Sequence, residues 1–251
     1  MLAITGLCKA YGGHRVLDGL DLRIEPGDSV ALLGANGSGK TTTLRCIVGL
    51  AHPDRGRIEI AGLDVQHNPT AARTRVSYLP QKSVFPSTLT VRETLDVVAQ
   101  LRRQPAATIE RELDACGLTL LADRWVGHLS GGERQRLAMA VAFLPAVDLY
   151  LFDEPSANLD PVASRILFRR ARELRRQSRT LLFTTHVPGD IRHLASRVVL
   201  LRGGRIDGDV SGDFELQRSE RMLERDLWGD DDDDMAVRDF ADRSVGADAL
   251  V

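Results

Sequence analysis

The stretch Ser29-Val30-Ala31-Leu32-Leu33-Gly34-Ala35-Asn36-Gly37-Ser38-Gly39-Lys40-Thr41-Thr42 decides how this chain is read. Its first five residues form a short apolar run, the pattern of a strand buried on both faces. Three glycines follow within six positions, then Lys-Thr-Thr and a helical pattern reaching about Leu50. Gly34 to Thr41 fits GxxxxGK[ST]. Glycines let the backbone turn its N–H groups inward around phosphate oxygens. The helix start behind them adds roughly half a positive charge. Lys40 supplies a mobile ammonium for the β- and γ-phosphates, and the Thr41 hydroxyl can ligate Mg²⁺. A chance Gly-rich turn is the bland alternative, and the strand before the loop with the helix after it argues against that.

A second apolar strand, Leu149-Tyr150-Leu151-Phe152, ends on Asp153-Glu154. In phosphoryl transfer the first acid at such a strand end helps hold Mg²⁺, and a neighbouring carboxylate can accept the proton of an attacking water. Together the two motifs define a P-loop NTPase, a class with many different functions. The expected fold is α/β with a RecA-like, mostly parallel sheet. Strand and helix alternate after Leu149, with a helix over Pro161–Arg176, a strand over Thr180–Thr184 and a closing hairpin around Gly203-Gly204. Earlier, Leu2–Thr5 and Leu20–Ile24 read as strands. The segment from about 81 to 136 reads as mostly helical, opened by a T-x-x-E capping signal at Thr90 and Glu93.

Leu129-Ser130-Gly131-Gly132-Glu133-Arg134-Gln135 narrows the class. Ser130 can cap a helix, and the two small residues after it let backbone N–H groups approach an anion. The stretch resembles the LSGGQ-type signature of the ABC (ATP-binding cassette) family. The resemblance covers about residues 1–210 and implies an ATPase domain there. It also implies an N-terminal antiparallel β subdomain and an inserted helical subdomain over about 82–136. ATP-binding residues by resemblance are Tyr11, stacked on adenine, with Gly34, Ala35, Asn36, Gly37, Ser38, Gly39, Lys40, Thr41 and Thr42. Gln81 resembles the glutamine that touches Mg²⁺ and the lytic water, so the implied metal-site residues are Thr41, Gln81 and Asp153. Glu154, His186 and Gln81 are the implied catalytic set. Ser156-Ala157-Asn158-Leu159-Asp160 resembles the D-loop. In such proteins two cassettes face head to tail, so Leu129, Ser130, Gly131, Gly132, Glu133 and Gln135 would serve ATP bound to the partner. Taken singly, Tyr11 could be a surface aromatic, Gln81 a loop polar residue and His186 a satisfied strand-end histidine.

No apolar run approaches the roughly 20 residues of a membrane-spanning helix, and Met1–Thr5 lacks the start of a secretory signal. The resemblance therefore implies a homodimer or paired cassette that works with separately encoded transmembrane permease subunits at the cytoplasmic face of the membrane. Parts of Lys82–Arg103 would line the permease-docking groove. Val84, Phe85 and Leu89 fit either that surface or a local core. The short body is similar to cassettes of ABC-2-type exporters. Tyr78-Leu79-Pro80-Gln81 and Thr184-Thr185-His186-Val187-Pro188 are faintly similar to copper-processing, nitrous-oxide-reductase maturation ATPases. The alternative is a soluble ABC ATPase acting on nucleic acid or ribosomes. It is disfavoured because the interval between phosphate loop and signature is short and lacks heptads, and because each motif occurs once.

Charge is uneven. Residues 207–251 hold five Arg against fifteen Asp and Glu, so they carry −10 and the body carries +8 of the net −2. Only Lys9, Lys40 and Lys82 are lysines, and the Arg excess reads as codon usage rather than a nucleic-acid footprint, so no direct nucleic-acid contact is expected. The acidic segment from 211, with Asp230–Asp234 in a row, is expected to be solvated and disordered. A metal loop is a poorer reading of it, because hard-cation sites interleave carboxylates with turn residues. Cys8, Cys46 and Cys116 lack CxxC spacing, which argues against zinc or disulfides; each is expected as a small buried residue.

Overall fold

A computed structural model describes residues 1–157 and 159–211. The acidic segment beyond Ser211, with Asp230–Asp234, lies outside the described residues, as does Asn158.

Two sheets organise the chain. The smaller is antiparallel, in the order β2 (His14–Ile24), β1 (Leu2–Tyr11), β4 (Arg55–Ile60), β5 (Leu63–Asp64). The larger runs β10 (Arg205–Ser211), β9 (Arg197–Arg202), β3 (Ser29–Leu33), β8 (Thr180–Thr184), β7 (Leu149–Asp153), β6 (Val76–Leu79). Its strands are parallel except for β10, which returns antiparallel at one edge. β3, β7 and β8 are buried at every residue, which is why they read as unbroken apolar runs rather than alternating ones.

Each face of the large sheet is covered by its own apolar layer. On one face, Val30, Leu32, Leu149, Leu151 and Leu182 pack against the small sheet and α1 (Lys40–Ile47). On the other, Ala31, Phe152 and Phe183 pack with α3 (Val91–Leu101), α4 (Ala107–Ala115), α5 (Gly131–Phe143), α6 (Pro161–Arg176) and α7 (Pro188–Leu194). The remaining helix, α2 (Pro69–Thr74), leads into β6.

Several expected elements differ in extent. The first two strands run on well beyond Thr5 and before Leu20, because pairing of β1 with both β2 and β4 satisfies their ladders. Irregular register around Gly6 and Leu7 breaks the alternation that would have signalled the longer strand. α1 stops at Ile47 instead of about Leu50, where Leu50 N–H folds back onto Arg45 O at 2.8 Å. The segment from 81 to 136 is helical only in α3, α4 and the start of α5. The rest is loop, with single 3₁₀ turns at Thr119–Leu121 and Val126–His128. The capping box at Thr90 and Glu93 forms as expected. Cys46 and Cys116 are buried free thiols, but Cys8 is only half-buried, because its strand faces outward there; Gly19 N–H donates to its Sγ at 3.2 Å. The Gly203-Gly204 hairpin lies against β2: Asp18 N–H donates to Gly204 O at 3.0 Å, and a Cβ on Gly204 would stand 2.5 Å from Val16 O.

Candidate functional site

The parallel register of the large sheet gathers the site. β3, β7 and β8 end side by side, with Asp153 opposite Thr184 and Leu32 also opposite Thr184. Loops leaving these ends can therefore meet.

After β3 the chain turns at Gly34 (φ 155°). A Cβ there would lie 2.3 Å from Leu201 O and 2.5 Å from Ser38 Oγ, so the turn admits only glycine. The loop closes on α1, whose N-cap Gly39 supplies no side-chain cap and whose first turn holds no acid. The positive end of α1 is thus left to the loop. Ala35, Asn36 and Gly37 are exposed, while Ser38 and Thr42 are half-buried. Lys40 curls back under the loop, donating from Nζ to Gly34 O at 2.7 Å and Ala35 O at 3.1 Å. Burial pulls its pKa down, against the opposing charges of Glu154 and Asp153. Ser38 Oγ is buried without a hydrogen-bond partner, a polar group awaiting one.

Asp153 is buried and held three ways. Thr41 Oγ1 donates to Oδ1 at 3.0 Å, Thr184 Oγ1 donates to Oδ1 at 2.8 Å, and Tyr78 OH donates to Oδ2 at 3.3 Å. Burial and the Asp153 charge push the Tyr78 phenol well above its usual range, so it stays a donor.

Glu154 takes a left-handed conformation (φ 49°) rare for a non-glycine residue. Its N–H donates to Thr184 Oγ1 at 2.9 Å, which fixes the turn and aims the side chain away from Asp153. Gln81 Nε2 donates to Glu154 Oε2 at 2.7 Å, and His186 Nδ1 stands 3.4 Å from the same oxygen. Lys40, Thr41, Asp153, Glu154, Gln81 and His186 thus form one cluster drawn from four segments. Gln81 meets Glu154 rather than the Thr41–Asp153 pair.

The other expected residues stand apart. Ser130 caps α5 in a reciprocal box, with Glu133 N–H on Ser130 Oγ (3.2 Å) and Ser130 N–H on Glu133 Oε2 (2.7 Å). Leu129 is buried and Ser130 and Gly131 are exposed. Gly132 faces Asp160, whose Oδ2 would be 2.5 Å from a Cβ there. Gln135 follows one turn on, on the same helix. Asp160 caps α6 through Val162 N–H (2.8 Å) and Ala163 N–H (2.7 Å). Tyr11 is 47% exposed at the β1–β2 hairpin, with Lys9 Nζ 5.2 Å from its ring centre. That hairpin leads to Val16 and Leu17, which pack against Gly39.

Three polar residues at the site went unassigned in the sequence: Tyr78, Thr184 and Asp190. The first two belong to quoted motifs, and a polar residue in the last positions of a buried strand was the available signal. Asp190 carries no local signal.

The residues present fit a nucleotide triphosphate with Mg²⁺. Ser38 Oγ lacks a partner, the Lys40 ammonium holds only loop carbonyls, and Thr41 and Asp153 offer the hard oxygen donors that Mg²⁺ takes alongside phosphates and water.

Comparison with known proteins agrees with this arrangement. The sequence profile described as ABC transporter matches residues 17–157. The Nod factor export ATP-binding protein I of Ralstonia nicotianae is 36% identical over 209 residues, 82% of this chain and 65% of that protein. Its namesake in Burkholderia pseudomallei is 38% identical over 201 residues, 78% of this chain and 66% of that one. The chain therefore spans just under two thirds of these relatives' length. A solved structure titled as the ATP binding subunit of an ABC transporter superimposes with a TM-score of 0.80 at 30% identity, covering 90% of this chain and all of that one. A bacterial Atm1-family ABC exporter with ATP bound shares the fold at a TM-score of 0.80 and 24% identity, over 92% of this chain and 42% of that one.

Proposed function

The chain belongs to the ABC transporter family, and from that premise we propose that it binds ATP with Mg²⁺, hydrolyses it, and so energises a membrane exporter. The observation that carries the reading is the split between two adjacent carboxylates. Asp153 is tied to Thr41 of the phosphate loop, and Glu154 is turned away to collect Gln81 and His186.

In this reading Lys40 releases Gly34 O and Ala35 O for phosphate oxygens, and Ser38 Oγ finds its missing partner there. Thr41 and Asp153 would hold Mg²⁺, and Gln81, which meets Glu154 here, would join them. Bound Mg²⁺ neutralises charge on the phosphates, which lowers the barrier to attack. Glu154 accepts the proton of the attacking water as the bond to the γ-phosphate breaks, and Gln81 and His186 orient that water and the phosphate. Tyr78 and Thr184 keep the Asp153 carboxylate aimed through their hydrogen bonds. Tyr11 offers an exposed ring for adenine.

In this reading a lone chain would contact the γ-phosphate from one side only. The exposed Ser130 and Gly131, at the positive end of α5, are suited to the nucleotide of a second cassette, with Leu129, Gly132, Glu133 and Gln135 shaping that helix start. ATP would thus hold a homodimer or paired cassette together, and hydrolysis would release it. We assign the ATPase domain to 1–210, with the helical part at about 82–136 facing the permease.

Among the described residues no helix is long and apolar enough to cross a membrane. In this reading motion passes to separate permease subunits, with the protein at the cytoplasmic membrane face. Val84 is 92% exposed, whereas Phe85 packs on the core. Val84 supports the docking reading of that loop, and Phe85 anchors it. The export named for the relatives favours transport over action on nucleic acid or ribosomes.

The test is Glu154→Gln, which keeps shape and removes the base. Turnover should fall by roughly 10²–10⁴-fold, ATP affinity should stay within about threefold, and the variant should elute as an ATP-dependent dimer in gel filtration. Wild-type turnover would remove Glu154 from the role.

A further inference from the structure

Two loops approach the cluster from the ends of β7 and β8. One runs from Glu154 through Ser156 to Asp160, whose carboxylate caps α6 and crowds Gly132. The other runs from Thr184 through Thr185 to His186, beside Glu154. One side chain from α7 joins them. Asp190 is fully buried, and its Oδ2 accepts from Ser156 Oγ at 2.6 Å and from Thr185 Oγ1 at 2.6 Å. Thr185 Oγ1 in turn accepts Val187 N–H at 2.9 Å, closing the turn that carries His186.

Stability alone does not account for this carboxylate. Its Oδ1 is buried with no partner, and a half-satisfied buried acid is destabilising relative to an apolar side chain of its size. Burial raises its pKa against the hydrogen bonds that lower it. What an apolar side chain could not supply is an acceptor shared by two hydroxyls on separate loops.

We propose that Asp190 is a positioning residue for hydrolysis, holding Ser156 and Thr185 in one register so that His186 stays on Glu154 while Asp160 stays on Gly132. The inference rests on the ATPase reading above and adds to it a mechanical link between the signature end of the site and the His186 end. Asp190 itself touches no reacting atom.

Asp190→Leu removes the acceptor and keeps the bulk, whereas Asp190→Asn keeps one oxygen able to accept both hydroxyls. In the full chain, the Leu variant should lose about tenfold or more in kcat, equivalent to about 1.4 kcal/mol of barrier, with KM for ATP within about threefold. The Asn variant should stay within about threefold of wild type. Amide exchange at Ala157 and Val187 should quicken about tenfold in the Leu variant only. A folded Leu variant with wild-type kcat or unchanged exchange overturns the proposal, and so does equal loss in the Asn variant. Should the Leu variant not fold, Ser156→Ala, Thr185→Val and their double carry the test: a double no worse than the poorer single supports one shared clamp, and independent, multiplying losses overturn it. If the wild-type chain hydrolyses no ATP, the ATPase reading falls. The exchange result then still separates that failure from failure of the clamp.

Discussion

Removing Arg170 should unfasten α4 from α6. Glu112 on α4 has no solvent exposure, and Arg170 Nη2 on α6 donates to both of its oxygens, at 2.8 and 2.9 Å. Burial raises the Glu112 pKa, and the Arg170 and Arg111 charges oppose that shift. Arg170→Met keeps an apolar chain on the Phe143 ring, over which the guanidinium now sits at 5.0 Å, so packing changes little and the charge is what goes. Breaking a buried pair from one side costs about 3–5 kcal/mol, because a charge is left unpaired. Arg111 Nε remains 3.3 Å from Glu112, which places the expected loss near the lower end, about 3 kcal/mol. At about 2–4 °C per kcal/mol for a domain of this size, Tm should fall by about 6–12 °C. Urea titration of wild type, Arg170→Met, Glu112→Met and the double variant would measure it. The double should sit closer to wild type than Arg170→Met does, since two apolar chains replace the pair. A loss below about 1 kcal/mol in Arg170→Met, or a double equal to the sum of the singles, would refute the reasoning.

Two further outcomes follow from the site and the small sheet. Lys40→Ala removes an ammonium that burial already destabilises. ATP affinity, read by calorimetry, should fall at least about tenfold for the lost charge-assisted bonds, with a change of less than about 1 kcal/mol in the stability of the nucleotide-free chain. Unchanged affinity would take Lys40 out of the phosphate site. Asp64 accepts N–H bonds from His67 (2.9 Å) and Gln66 (2.8 Å), with the His67 backbone bond the largest cause of a pKa lowered from 3.8 to about 2. A depressed acid stabilises the fold above its unfolded value and loses that contribution as pH falls from about 4 towards about 2. Acid titration of Asp64→Asn should show a shallower loss across that window, and a curve parallel to wild type would exclude the contribution.

What the sequence determined by itself is local. The phosphate loop, the helix starts at Thr90 and Ser130, the helix over 161–176, and the strands over 149–153 and 180–184 each depend on residues within a few positions of one another. A cap reaches three residues and a fully buried strand announces itself by its own apolar run. With the signature stretch over 129–135 beside them, these motifs were enough to name the family. Contacts across the chain became visible only in the tertiary structure. Tyr78 and Thr184 bond to Asp153 because β6 and β8 flank β7 in parallel register, and nothing near Asp153 in the chain specifies that neighbourhood. The antiparallel partner strands over 55–64 were not read, since short half-exposed strands draw their stability from neighbours rather than from composition. Asp190 and Glu112 are acids on helices, a position that in sequence reads as solvated surface. Only packing shows that each is buried, and that each holds together segments the chain order keeps far apart.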